Sequence, residues 1–210
     1  MAQQSVTIQS WEDKDHFISF SDAPGQWEKP SIQSNKHSCL LGEIIQADTF
    51  IRPRLVCRDV NSRQLVVAFY PDNEAEMPRL QSGFKVGHTI AIFYPVSHGF
   101  LDGSVGIRVE TPDKVLIIPL QLNDVLAMNK EVIEFVNRDG TPRKCHGCGQ
   151  TRDRFDKCGR CEMFYYCNRE CQVKGWDTHK RYCRSLKDKN VKKMLLLDYT
   201  TIDNGAVSFH

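Results

Sequence analysis

The chain has 210 residues, of which 40% are apolar and 26% charged, and its net charge is +2. This composition is typical of a folded globular protein and excludes a largely disordered one. The length suits one ordinary domain plus a small accessory module. No apolar run approaches the ~18 residues of a membrane-spanning helix, and the N-terminus lacks the basic and apolar regions of a secretory signal. We therefore expect an intracellular protein without membrane contact, in the nucleus or the cytoplasm.

Residues 1–37 are polar with isolated aromatics, and we predict that this segment is poorly structured. From residue 38 onward, short apolar runs alternate with turn residues, which is typical of β-strands. The runs cover residues 40–45, 54–58, 64–70, 89–94, 106–110 and 115–118, with a helical turn near 77–80. Five or six short strands of this kind predict a small barrel or sandwich.

The order of these features resembles the five-stranded OB-fold barrel: a strand with an early glycine, a charged hairpin at 59–63, a strand that ends in aromatics, a helical connection and two further strands. Residues 123–136 then carry apolar side chains near a 3.6-residue spacing, which predicts a helix that closes the domain. Gly140 and Pro142 lie in a break that marks a boundary. The fold class expected is α+β: a small OB-like antiparallel barrel over 38–136, followed by a separate module.

The last third of the chain holds that module. Seven of the nine cysteines lie between Cys145 and Cys183. A disulfide framework would favour an even count, a secreted context and an even spread, none of which is met. The ligand pattern is Cys145-x2-Cys148-x9-Cys158-x2-Cys161-x5-Cys167-x3-Cys171-x7-His179-x3-Cys183.

Eight sulfur and imidazole donors suffice for two tetrahedral zinc sites with none left over. A Cys-x2-Cys pair curls the backbone so that both sulfurs face one ion, and Gly147 or Gly149 and Gly159 ease these turns. Ligands at i and i+4 lie on one face of a helical turn. Spacing alone leaves open which pairs share an ion. His146 is a spare donor that we expect to be exposed rather than a ligand.

Tyr166-Cys167, Cys171-Gln172 and Gly175-Trp176-x2-His179 resemble the MYND-type zinc finger, with a match over nearly all of residues 145–183. The first domain is similar to that of uncharacterised fungal proteins that carry this finger. The resemblance implies interleaved, cross-braced sites and two structural zinc ions. The implied ligand sets are Cys145, Cys148, Cys167 and Cys171 for the first ion, and Cys158, Cys161, His179 and Cys183 for the second.

Four protein ligands per ion leave no open position for a substrate, so such sites stabilise a fold rather than catalyse. Some proteins with this finger are lysine methyltransferases, but those have a much larger catalytic domain whose cofactor motifs are absent from this sequence. We therefore expect no enzyme. Fingers of this type serve mainly as protein-interaction modules, and some take proline-containing peptides. The matching positions are Gln172 and Trp176, although Trp176 could instead pack against Phe164 or Tyr165.

The alternative partner is single-stranded nucleic acid, bound on the barrel by exposed aromatics such as Phe69, Tyr70, Phe93 or Tyr94. Residues 141–210 contain 15 Lys and Arg against 8 Asp and Glu, and the segment 184–210 forms a basic tail. Seven thiolates and two zinc ions would reduce the charge of residues 141–210 to about +4. Residues 1–140 have 13 basic against 18 acidic side chains, which opposes phosphate binding. The favoured hypothesis is a zinc-binding adaptor that recognises a peptide.

Overall fold

The computed structural model describes residues 7–28, 35–50, 52–71, 75, 77–136, 143–202 and 205–209. It divides into two compact units. The β unit comprises Trp11–Val125 and Tyr199–His210, and the zinc unit comprises Met1–Ser10 and Leu126–Asp198. Within the described residues, no helix has the length and apolar character needed to cross a membrane.

The β unit contains seven strands in its described residues, which form one sheet. They are β1 Cys39–Asp48, β2 Arg54–Asp59, β3 Gln64–Phe69, β4 Thr89–Phe93, β5 Ser97–Gly99, β6 Val105–Val109 and β7 Val115–Ile118. The short helix α1, Met77–Gln81, connects β3 to β4. The strand order across the sheet is β5-β6-β3-β2-β1-β4-β7. Strand β1 is the longest and lies between β2 and β4, and its register with β2 shifts between Ile44 and Gln46, a bulge that bends it.

The sheet must curl. Strands β6 and β7 lie on opposite sides of its order, yet only residues 110–114 join them. Six residue steps reach at most ~20 Å, whereas five strand spacings in a flat sheet need ~24 Å. Curling brings the inward side chains into one core, to which β3 contributes Val67 and Phe69, β6 Ile107, β4 Ile90 and β7 Val115.

The predicted α+β class is confirmed, but the small antiparallel barrel differs from the observed sheet in two respects. Over the residues that the structure describes, β5 and β7 are the two edges and the ladder does not close. In addition, β3 pairs with β6 in parallel, with Val66 opposite Gly106 and Phe69 opposite Val109. The segment 110–114 separates β6, which pairs with β3, from β7, which pairs with β4, so no single strand closes the ladder. Strands β3 and β4 run in opposite directions, so a strand antiparallel to β4 is parallel to β3.

The segment predicted to be poorly structured, residues 1–37, is described over 7–28 and 35–37. Trp11, Phe17 and Phe20 are buried there. The backbone N–H of Ile18 donates to the Cys39 carbonyl at 3.0 Å, so part of this segment lies against β1. Its apolar residues are too widely spaced to show a period; Trp11, Phe17 and Phe20 are nevertheless buried, whereas Trp27 is exposed.

A buried carboxylate fixes the β2–β3 hairpin. Asp59 accepts from the backbone N–H groups of Asn61 at 2.9 Å, Arg63 at 2.8 Å and Phe20 at 2.9 Å. One side chain therefore satisfies the turn and anchors the N-terminal segment to it.

The zinc unit contains most of α2, Leu122–Val136, which the sequence assigned to the first domain. The division falls inside this helix because its later residues pack within the zinc unit: Glu131 contacts His146 at 3.1 Å, and the ring centroids of Phe135 and His146 are 4.9 Å apart. The predicted break at 137–142 lies outside the described residues. The further elements are β8 Asp156–Lys157, β9 Tyr165–Tyr166, α3 Arg169–His179, α4 Cys183–Lys187 and α5 Lys189–Leu195.

The stretch expected to be a basic tail is therefore helical up to Leu195. Its last residues belong to the β unit, where Tyr199 packs against Phe17 with ring centroids 5.0 Å apart and Phe209 packs against Phe93 at 5.4 Å.

Candidate metal centre

Two tight turns and one helix present the ligands. In the first turn, the N–H of Cys145 donates to the Gln150 carbonyl at 2.8 Å and that of Gly149 to the Cys145 carbonyl at 2.7 Å. In the second, the N–H of Cys158 donates to the Phe164 carbonyl at 2.9 Å. Each turn thus holds its Cys-x2-Cys pair in one hydrogen-bonded loop.

Helix α3 links the two sites. Asn168 caps it, and its side chain accepts from the N–H of Cys171 at 2.9 Å. This cap fixes Cys171 in the first turn of the helix. His179 is the last residue of α3, and Cys183 is the first of α4. One rigid helix therefore sets the separation between the two ligand clusters.

The ligand atoms converge in two groups. Those of Cys145, Cys148, Cys167 and Cys171 form site 1, and those of Cys158, Cys161, His179 and Cys183 form site 2. Within each group all atoms lie within 4.8 Å of one another. These are the two sets of four that the resemblance implied, and they interleave along the chain.

The distances suit zinc and exclude disulfides. Ligands at ~2.3 Å from one ion in a tetrahedron lie ~3.8 Å apart. The sulfurs of Cys148 and Cys167 are 3.7 Å apart, and those of Cys158 and Cys183 are 3.8 Å apart. His179 Nε2 lies 3.3 Å from the Cys158 sulfur, slightly closer because Zn–N bonds are shorter. A disulfide would need ~2.05 Å. The two clusters therefore fit two structural zinc ions, each with four protein ligands.

The proton affinities of the ligands also suit a cation. Burial raises the pKa of the Cys145 thiol, but three backbone N–H groups outweigh it and lower the value to about 6. The same competition lowers the pKa of Cys158. Burial, followed by hydrogen bonds and repulsion from these thiolates, raises the pKa of Cys171 to about 12. In site 1 the Cys145 thiolate therefore forms first and opposes further negative charge, and a divalent cation would offset the repulsion among the thiolates of either site.

His179 is ready to ligate. Burial, and secondly the charge of His146, lowers its pKa to about 4, so its ring is neutral at pH 7. Since Nε2 faces the sulfurs, the proton belongs on Nδ1.

His146 is a correction. The sequence suggested an exposed spare donor, but the residue is buried. Its Nε2 lies 3.1 Å from a Glu131 carboxylate oxygen, and its ring lies 4.2 Å from that of Phe164. It is a core residue beside site 2 and not a ligand. Nothing local signals this, because its partner lies on α2.

Gly147 allows α3 to approach the first turn. A Cβ atom at this position would lie 2.1 Å from the backbone oxygen of Cys171, whereas one at Gly159 would meet nothing within 4 Å. The sequence predicts that Gly147 or Gly149 and Gly159 ease the turns. Gly147 is sterically required because the start of α3 lies directly against it, and Gly149 has a φ of 73°, which favours glycine.

The predicted peptide positions both lie on α3. Gln172 is half-buried, while Trp176 is 41% exposed and its ring meets that of His179 at 5.7 Å. Trp176 therefore does not fill the interior, which Phe164 and Tyr165 occupy. The neighbouring Val173 is 67% exposed, and the sequence analysis did not single it out.

The MYND finger family matches residues 145–183. The chain carries a MYND finger. Curated relatives match the same region. N-lysine methyltransferase SMYD2 of Gallus gallus is 43% identical over 42 residues, which is 20% of this chain and 10% of that protein. Histone-lysine N-methyltransferase SMYD1 of Homo sapiens is 37% identical over 43 residues, or 20% of this chain and 9% of that protein.

The human SMYD2 match is longer, with 32% identity over 65 residues, 31% of this chain and 15% of that protein. The chain thus spans a small fraction of these relatives, and the similarity concerns the finger. Among solved structures, a chain of the S. pombe Stn1-Ten1 complex aligns with 40% of this protein at 15% sequence identity. The alignment includes 58% of the Stn1-Ten1 chain and has a TM-score of 0.32. That score is too low to support an argument about fold or function.

Proposed function

We propose that the chain is a zinc-binding adaptor whose MYND finger binds a peptide segment of a partner protein, including proline-containing segments. The observation that carries this proposal is the exposed apolar pair Val173 and Trp176 on α3, beside the half-buried amide of Gln172. A large apolar side chain held on a rigid helix with a polar neighbour suits peptide recognition.

The zinc sites support this role indirectly. Both use all four ligand positions for protein atoms, so they stabilise the scaffold and leave no position for a substrate. The side chains outside the clusters, including those of α3, are then free of the metal and can meet a partner. Trp176 ring stacking and the Gln172 amide together suit a proline residue, which offers a flat apolar ring and a carbonyl acceptor.

The test is an array of proline-rich peptides probed with the zinc-loaded chain and with Trp176→Ala. Leu196→Ala is the matched control. Leu196 is also an exposed apolar residue, at 45%, but it lies at the end of α5 and not on α3. We expect peptides that bind the wild type and Leu196→Ala but not Trp176→Ala. Zinc content is measured for each variant. Full binding by a Trp176→Ala protein that retains two zinc ions would refute the proposal.

We also propose that the chain is not a methyltransferase. The named relatives are methyltransferases, but the matches span 9–15% of their length. Methyl transfer from S-adenosylmethionine to histone or peptide substrates, followed by mass spectrometry, tests this directly. Any turnover that depends on the chain would contradict it.

A second candidate function is single-stranded nucleic-acid binding by the β unit. Strands β6 and β7 can be counted as one interrupted strand that lies between β3 and β4. The sheet then has five main strands in a partly open circuit, as in an OB fold: β1, β2, β3, the interrupted strand and β4. Phe69 and Phe93 are buried in the core, which leaves Tyr70 and Tyr94 half-buried.

The observation that favours this candidate is a pair of arginines next to the ring of Tyr70. The guanidinium carbons of Arg52 and Arg108 lie 4.2 Å and 4.5 Å from the Tyr70 ring centroid. A guanidinium plane stacks well with a base and pairs with phosphate. However, Arg108 is paired with Glu110 at 2.9 Å, and residues 1–140 are acidic in balance. This candidate is therefore ranked second.

Its test is fluorescence polarisation with a labelled single strand over a salt series, using the wild type and Arg52→Ala. Binding that weakens with salt and is reduced by Arg52→Ala would favour it. Absence of binding at low salt would remove it.

A further inference from the structure

The zinc unit contains a second surface, which we call the basic groove. It is a cleft of about 660 Å³, within the size range of ligand sites. Its walls include four cationic side chains, namely Arg143, Arg152, Arg154 and Lys157. Phe155 and Tyr165 supply aromatic surface. None of these residues belongs to the α3 surface of the proposed function.

The backbone brings the cations together. The antiparallel bridge between Lys144 and Thr151 places Arg143 opposite Arg152. In the β8–β9 hairpin, Lys157 lies opposite Tyr165, so both project from the same face. The guanidinium carbon of Arg143 lies 4.5 Å from the Tyr165 ring centroid and the Lys157 ammonium 5.9 Å. Since Tyr165 is buried, its ring is a fixed platform under two cations.

The four cations outnumber the two carboxylates of the groove, those of Asp153 and Asp156. In the part of this unit that the structure describes, Lys180 and His146 form carboxylate ion pairs, and no basic residue of the groove is found in one. Like charges opposite each other destabilise a hairpin. Such an arrangement is favourable when an anion occupies the space between them.

The geometry points to an acidic peptide as the occupant of the basic groove: a segment of a partner protein whose carboxylates meet the arginines and whose apolar side chain meets Phe155. Arginine forks bind carboxylates in bidentate fashion, and Phe155 is half-buried with part of its ring accessible. Charge complementarity fixes the sign of the ligand.

A protein partner suits this groove better than nucleic acid. Asp153 and Asp156 also line it. A continuous run of phosphates would meet these two carboxylates, whereas a peptide can place neutral residues opposite them and carboxylates opposite the arginines. The groove therefore selects for a mixed acidic and apolar sequence over a uniform polyanion.

The experiment is fluorescence polarisation with the zinc-loaded full chain and a labelled peptide that alternates Glu with Leu and Phe. A second peptide has Gln in place of every Glu, and unlabelled single-stranded DNA serves as competitor. The test variant is Arg152→Glu/Arg154→Glu. The matched control is Lys189→Glu, an exposed charge reversal on α5 outside the groove. Trp176→Ala separates this site from the α3 surface.

We expect the acidic peptide to bind, the Gln peptide not to bind, and the double variant to lose roughly tenfold or more in affinity. Lys189→Glu and Trp176→Ala should bind as the wild type does. Three results would overturn the inference: equal binding of the Gln peptide, an equal loss of affinity in Lys189→Glu, or displacement of the labelled peptide by DNA at a lower concentration than unlabelled acidic peptide requires. Loss of zinc from the double variant would assign the cations to site 1, whose Cys167 lines the groove, and would overturn it as well.

Discussion

Gly147→Ala should weaken zinc binding at site 1 while leaving the rest of the chain folded. The added Cβ would lie 2.1 Å from the Cys171 carbonyl oxygen and 2.7 Å from its Cα. An ordinary contact between such atoms needs more than 3 Å, so the start of α3 must move by ~1 Å. Zinc sites tolerate ~0.2 Å in ligand distance, so a movement of this size strains the coordination by Cys171.

The magnitude follows from the cost of overpacking. A single extra methyl group in a packed site costs ~1–3 kcal/mol. Since ~1.4 kcal/mol is a factor of ten, the zinc affinity of site 1 should fall roughly 5- to 150-fold. The assay is competition with a chromogenic chelator, with native mass spectrometry to count the ions that remain. Gly159→Ala is the control, because a Cβ there meets nothing within 4 Å. Equal zinc affinities in the two variants would refute the steric argument.

The remaining predictions concern thiols and one carboxylate. Site 1 should lose zinc to a chelator or to peroxide before site 2, because Cys148 is exposed whereas all four ligands of site 2 are buried. Release of both zinc ions in a single phase would contradict this prediction. Cys39 and Cys57 should resist thiol reagents at pH 8 until the chain unfolds. Burial raises the pKa of Cys57 to about 12, and that of Cys39 well above its usual range, so both remain protonated. Peptide mapping after brief alkylation measures the reaction of each thiol, and a Cys57 that reacted as fast as Cys148 would contradict the prediction. Asp59→Ala should lower the free energy of unfolding in urea by ~2–4 kcal/mol, because three backbone N–H groups lose their acceptor. Asp48→Ala, an exposed acceptor of one N–H, should cost far less.

The strands of the β unit were predictable because β2 alternates buried and more exposed residues, while β3 and β4 are short apolar runs that are mostly buried. Alternation in 54–58 and the apolar runs at 64–70 and 89–94 are all found as strands. Strand β5 was missed, since Ser97, His98 and Gly99 carry no apolar alternation. The parallel partner of β3 was also beyond prediction, because pairing between residues 66 and 106 is non-local and leaves no periodic signal.

The eight ligands were evident from spacing, but their pairing was not. It came from the resemblance to MYND fingers, and the structure groups the ligand atoms in the same way. What neither source could give is the exposure of individual side chains. Val173 and Trp176 are exposed because α3 turns its ligand-bearing face inward, and Gly147 is required because Cys171 lies against it. Both depend on how distant turns pack.

The central claim is that the finger holds two closed structural zinc sites, which leaves its surface for binding. X-ray absorption at the zinc edge of the loaded chain tests this most directly. Seven sulfurs and one nitrogen shared between two ions predict an average shell of about 3.5 sulfurs at ~2.3 Å and about 0.5 nitrogen at ~2.0 Å. A shell with an added water oxygen, or with fewer than about three sulfurs per ion, would contradict the account, because an open position would return catalysis to consideration.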